Sequence, residues 1–234
     1  MQSLRSKKLL ASLLMCSAVY VSNSVIADEA CSAAYTIDTS LPNGGRWTLC
    51  WEHSLQNGIS FHHIAYQAKN GTTQDILYRA ELAQVHVPYD DNGARYHDIS
   101  DYGFGDGNLL GLNEKECPNG QLISYAGKPV ICQQVLSRGE AFRYQEKSAQ
   151  GYKLSLFSIS QIGSYNYVPR WEFFDNGTIE LSVGATGALQ RFTTGSQSTQ
   201  GWPIAPDKIG VSHLHNFFWR LDFDLAGNGA NDVI

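Results

Sequence analysis

Residues 158–183, SISQIGSYNYVPRWEFFDNGTIELSV, restrict the fold more than any other stretch of this chain. Two strand-like runs meet at Asp175-Asn176-Gly177, where Asn-Gly supplies the positive φ of a two-residue hairpin turn. Beyond the turn Ile179, Leu181 and Val183 alternate with Thr178, Glu180 and Ser182, the period-2 pattern of a half-buried strand. Before it, Tyr165 and Tyr167 stand at i and i+2, so a strand projects both rings to one face. Read locally, they form an aromatic cross-strand patch.

The rest of the chain repeats this grammar. Residues 47–53 and 59–68 read as strands joined around Asn57-Gly58, and Asn70-Gly71 marks the next turn. Residues 76–89 form a long, partly alternating segment ending in Val87-Pro88-Tyr89, and residues 90–93 are a loop. The glycine-rich stretch 97–105 is expected to hold no helix. Cys117 and Cys132 enclose a loop or hairpin, residues 152–162 lead into the central hairpin, and 193–200 form a polar, mobile loop. No dozen residues keep a helical period, and no repeat is present. Many short strands between glycine and proline turns predict an all-β fold, a large antiparallel β-sandwich. With 234 residues, 43% of them hydrophobic, the chain can bury the core such a sandwich needs.

Arg5, Lys7 and Lys8 precede an apolar run from 9 to 21, and Val25-Ile26-Ala27 follows. This reads as a secretory signal peptide over 1–27, too short for a membrane span. Residues 28–45, broken by Pro42, Gly44 and Gly45, read as an N-terminal lead-in, and 46–234 as the domain. Removing 1–27 takes three of 17 basic residues and none of 22 acidic ones, leaving a charge of −8. That balance argues against nucleic acid or an anionic membrane as partner. Four cysteines remain in an exported, oxidising context. Three pairings are possible, and the sequence-local one is favoured, Cys31 with Cys50 and Cys117 with Cys132. No CxxC is present, which disfavours a thiolate zinc site.

His213-Leu214-His215 is the pattern with most chemistry in it. On a strand both imidazoles share a face and can reach one ion. They lie in register with Phe217, Trp219, Leu221, Phe223 and Leu225, an apolar series that points inward. Asp222 and Asp224 fall on the opposite parity, hence on an exposed face. Imidazoles without a nearby thiolate suit Cu(II) or Zn(II), and the pattern alone does not choose between them.

Taken together, Ile162-Gly163-Ser164-Tyr165-Asn166-Tyr167, Trp171, Asp175-Asn176-Gly177-Thr178-Ile179, Gly184-Ala185-Thr186-Gly187 and the His213-x-His215 pair resemble the copper amine oxidases over the first part of their catalytic domain. The resemblance implies copper-dependent oxidation of primary amines by dioxygen, giving aldehyde, ammonia and hydrogen peroxide. It makes Tyr165 the precursor of a trihydroxyphenylalanine quinone (topaquinone), with Ser164 and Asn166 beside it in place of the family's Asn and acidic residue. It makes Asp98, followed by Ser100-Asp101-Tyr102-Gly103, the catalytic base, and Tyr89 the tyrosine that hydrogen-bonds the quinone oxygen. It implies copper on His213 and His215, and a calcium-type site on Asp222, Phe223 and Asp224. A disulfide in the region of Cys117 and Cys132, a homodimer in the full-length form, and a secreted or periplasmic address also follow from it.

The family takes a third copper histidine from a segment far downstream, and the other histidines here (His53, His62, His63, His86 and His97) all precede the pair. The expectation is therefore part of a catalytic domain. The alternative is a non-catalytic secreted binding module that keeps the fold. A third reading, a calcium-stabilised carbohydrate binder using Trp47, Trp51 and Trp202, has no motif behind it.

Overall fold

Period-2 alternation and glycine turns resolve into fifteen strands in the computed structural model, which describes residues 31–90, 95–193 and 201–225. In chain order they are β1 (Thr36–Ser40), β2 (Arg46–Ser54), β3 (Gly58–Gln67), β4 (Thr73–Pro88), β5 (Arg95–His97), β6 (Gln121–Tyr125), β7 (Lys128–Tyr144), β8 (Lys147–Phe157), β9 (Ser160–Ile162), β10 (Tyr165–Phe174), β11 (Ile179–Gly187), β12 (Phe192–Thr193), β13 (Trp202–Ala205), β14 (Lys208–Gly210) and β15 (Asn216–Phe223). One short helix, α1 (Asp98–Tyr102), follows β5. The expected signal peptide and most of the loop at 193–200 lie outside the described residues.

Two six-stranded antiparallel sheets face each other. The first runs β1-β2-β3-β4-β15 with β5 on β4, the second β11-β10-β8-β7-β6 with β9 on β10, and β12-β14-β13 make a small third sheet. The core between them is aromatic. Trp171 meets Phe61 edge-on at 4.9 Å and Trp219 at 5.5 Å, and Trp47 packs on Phe173 at 5.1 Å. Burying each such side chain is worth about 1.5–3 kcal/mol, which makes these rings the main glue between the sheets. Trp47 and Trp51 are thus fully buried. They cannot stack on a sugar, and the carbohydrate reading falls.

Strand β10 runs through the whole core. Tyr165, Tyr167, Pro169, Trp171 and Phe173 alternate with outward residues, so the two tyrosines continue the tryptophan's face beyond the main core. Pro169 has no N–H to give. It sits where the neighbouring strand is interrupted, between β8, which pairs through Arg170, and β9, which pairs through Tyr167.

Four local expectations are corrected. The hairpin at 175–177 has a three-residue loop: Gly177 N–H bonds the Phe174 carbonyl, Phe174 N–H bonds Thr178, and only Gly177 has positive φ. A two-residue turn needs both central residues there; this one needs a single glycine. The buried Asp175 carboxylate fixes the loop, accepting from Tyr152 N–H at 2.9 Å and from Arg138 at 2.8 Å. Second, the lead-in contributes β1, which pairs with β2 from Thr36↔Cys50 to Ser40↔Arg46 and is anchored by Cys31–Cys50. Third, the glycine-rich stretch does hold a helix. Its glycines follow α1 rather than interrupt it, and Gly103 at φ +76° ends it. Fourth, the parity expected along β15 fails. Leu221 and Phe223 are exposed and Asp222 is half-buried. Strand β15 keeps its alternation as far as Trp219, which packs on Trp171; the extra residues at the two register shifts, Ala83 and Tyr78, belong to β4.

Both local disulfides form. Cys117–Cys132 closes a 15-residue separation that the chain-entropy model values at about 3 kcal/mol. A Cys117→Ala/Cys132→Ala variant is expected to lose stability of that order in urea titration, with a raised m-value because the unfolded chain without the bridge exposes more surface. A loss below about 0.5 kcal/mol would show that the bridge constrains little. Among the described residues no helix is long and apolar enough to cross a membrane.

Candidate active site

A second apolar cluster, including Val87, Tyr89, Ile99, Phe104, Ile162 and Tyr167, lies at one end of the sandwich. Four separate stretches of chain converge on it. Strand β10 opens with Tyr165, and Tyr167 follows on the same face. Tyr89 follows the end of β4 and bridges His213 across a short antiparallel contact reinforced by Asp90 N–H to Ser212 at 2.8 Å. The His213-x-His215 pair therefore precedes β15 and does not lie in it; a single bridge, not a strand, fixes its direction. Helix α1 brings Asp98, held in place because Asp101 accepts the His97 N–H at 2.8 Å and Gln84 accepts the Ile99 N–H at 3.1 Å.

The expected residues meet as follows. The Tyr165 hydroxyl lies 3.0 Å from His213 Nε2 and accepts the Gln190 N–H at 3.0 Å. Tyr89 stacks on His213 at 4.6 Å, with its hydroxyl near that of Tyr165. Burial first, and the neighbouring Tyr165 hydroxyl second, push its ionisation well above the usual tyrosine range. The His213 and His215 rings lie 4.9 Å apart, and both contact the Tyr165 ring, at 5.4 and 4.8 Å. Asp98 is 5% exposed. Desolvation raises its pKa above the ordinary value, against the opposing hydrogen bond from Tyr167. Asp98, Tyr89 and Tyr165 line one cavity of about 190 Å³, with Tyr96, Tyr102 and Gln190 on its other walls.

Ser164 lines the same cavity and donates to Gln190 Oε1 at 3.1 Å. Other expected residues stand apart. Asn166 alternates to the opposite face of β10, where its Oδ1 is buried without a hydrogen-bond partner. Asp222 and Phe223 pair with Arg79 and Leu77, and Asp224 N–H bonds the Ile76 carbonyl at 3.0 Å, away from the tyrosine cluster. The sequence reading missed Tyr167, Tyr96 and Gln190. Tyr167 had a signal, its i+2 spacing from Tyr165; Gln190 had none, because it is placed by tertiary contact alone.

The histidines suit a borderline divalent ion. His213 Nδ1 is engaged by the Val211 carbonyl at 3.2 Å and His215 Nδ1 by Tyr167 at 2.8 Å, so Nε2 of His215 is left for a metal, while Nε2 of His213 faces the Tyr165 hydroxyl at 3.0 Å and would exchange that contact for one. Burial, with His213 adding, lowers the His215 pKa to about 4, which keeps its lone pair available at neutral pH. Among the described residues no group of three or more His, Cys, Asp or Glu could hold an ion. The pair fits copper as two ligands of a larger set.

Known proteins are similar to this chain in sequence and in fold. Residues 131–234 match the family described as copper amine oxidase, enzyme domain. The chain is 27% identical over 224 residues to a primary amine oxidase of Klebsiella aerogenes, covering 82% of this chain and 30% of that one. It is 25% identical over 218 residues to primary amine oxidase 1 of Arabidopsis thaliana, covering 73% and 34%. The fold matches the crystal structure of a lysyl oxidase from Pichia pastoris with a TM-score of 0.61 and 25% identity, over 77% of this chain and 27% of that one. In sequence and in fold, then, the chain resembles the copper amine oxidases, and it spans about a third of the length of the curated relatives it matches.

Proposed function

We propose that this chain carries the cofactor tyrosine, the base and two of the copper ligands of a primary-amine oxidase. The observation that carries the reading is the convergence of the half-buried Tyr165, His213 and His215 with the buried Asp98 around one cluster. A quinone made from Tyr165 in the presence of copper would supply the electron sink for oxidising the amine. The chain's own residues supply the rest. Tyr89 and the Gln190 N–H hold the Tyr165 oxygen and so orient the ring. The cavity walls, Tyr96 and Tyr102 among them, take the apolar part of a small primary amine and exclude water. Asp98 accepts the proton from the amine's α-carbon, and its raised pKa gives it the basicity that task requires.

Asp222, the Phe223 carbonyl and Asp224 would form a peripheral calcium-type site, and full-length forms would act as homodimers. The disulfides are compatible with an oxidising compartment, and we assign a secreted or periplasmic address. The test is chemical: a quinone-specific redox-cycling stain of the protein after aerobic copper loading, lost in Tyr165→Phe.

A further inference from the structure

Tyr167 is wholly buried, its ring stacked on Phe104 at 5.3 Å and edge-on to Phe217 at 6.2 Å. Its hydroxyl donates to Asp98 Oδ2 at 2.6 Å and lies 2.8 Å from His215 Nδ1. A phenol has one proton to give, and an ionised carboxylate can only accept. With that proton on the Asp98 side, the second contact is a hydrogen bond only if His215 Nδ1 carries a hydrogen and donates it. The neutral imidazole then has its lone pair on Nε2.

We propose that Tyr167 is a positioning residue: through one hydroxyl it orients the Asp98 carboxylate and fixes the His215 tautomer, in the order His215 Nδ1–H to Tyr167 O–H to Asp98 Oδ2. This rests on the amine-oxidase reading of Asp98 and His215. Three elements contribute one group each, α1 the carboxylate, β10 the phenol and the segment before β15 the imidazole. Packing alone would be satisfied by phenylalanine, since the ring contacts involve no oxygen. The hydroxyl adds the link between the group that takes a proton and the group that faces the metal. An outer partner that fixes a ligand's tautomer typically changes metal affinity 10–100-fold.

The test uses the full chain with ¹⁵N-labelled histidine. In the metal-free wild type near neutral pH, the His215 ring nitrogens should report the Nδ1–H tautomer; an Nε2–H tautomer there overturns the proposal whatever any variant does. In Tyr167→Phe the tautomer is expected to shift toward Nε2–H, and copper affinity, read by competition with a chelator, to fall about 10–100-fold. A variant that keeps both the Nδ1–H tautomer and the wild-type copper affinity also overturns it. Should the wild type take up no copper through His213 and His215, the amine-oxidase reading fails, and the wild-type tautomer still decides the role of Tyr167.

Discussion

On the proposed amine-oxidase reading, replacing Asp98 by Asn in a full-length form is expected to lower amine turnover by about 10²–10⁴-fold, the range a positioned base contributes, while the fold persists. Asn keeps the shape and still accepts the Tyr167 hydroxyl, so packing in α1 is undisturbed and the lost quantity is basicity. Burial favours the protonated carboxyl in the folded protein, against an ordinary value of 3.8. The folded state therefore holds this proton to higher pH than the unfolded chain does. Its contribution to stability is fully present below 3.8 and is lost as pH rises through the raised folded value. The Asn variant should lack that decline, and the wild-type acid limb of turnover should lie above the usual carboxylate range. Wild-type turnover in the variant would remove Asp98 from the reaction.

The second large effect concerns the imidazoles. His213→Ala/His215→Ala is expected to lose copper affinity by more than the 10–100-fold that an outer partner costs, because both donors go. Equilibrium dialysis against Cu(II) reads this directly, and unchanged binding would place the metal elsewhere. The metal-free protein gives an independent reading. His215 titrates at about 4 when folded against 6.5 in an exposed chain. The unfolded chain thus binds the extra proton first. Stability should fall as pH drops from about 6.5 toward 4, and the double variant should lose most of that acid sensitivity.

The sequence displayed the sandwich because alternation and glycine turns are local properties, and β2, β3, β4, β10 and β11 all overlap the stretches it marks. It hid what depends on distant partners. The bulges at Ala83 and Tyr78 of β4 are set by its pairing with β15, and the exposure of Leu221 and Phe223 depends on what packs over that strand, not on its alternation. Helix α1 is too short to be stable on propensity; burial of Asp98 and Ile99 and the Asp101 cap make it. Strand β1 is polar in sequence and is ordered by Cys31–Cys50 and by its pairing with β2.

At the site the same division holds. Tyr89, Asp98, Tyr165 and the histidine pair could be picked out because each sits in a recognisable short motif, and the fold brings them together. Ser164 and Asn166 were singled out by motif as well, yet strand alternation turns Asn166 away. Tyr167 could be read only as a neighbour of Tyr165, since its two hydrogen-bond partners lie 69 residues upstream and 48 downstream.

The central claim is that Tyr165 is built to become a quinone beside copper. The described residues offer two imidazoles and no third ligand, so imidazole added with Cu(II) in aerobic buffer can complete the set. Peptide mass then decides. Conversion adds two oxygens and removes two hydrogens, so the Tyr165 peptide is expected to gain about 30 Da with copper and imidazole. No gain is expected without copper, with copper alone, or in His213→Ala/His215→Ala. An unmodified Tyr165 peptide from protein that demonstrably holds copper at the two histidines, with imidazole present, would contradict the account.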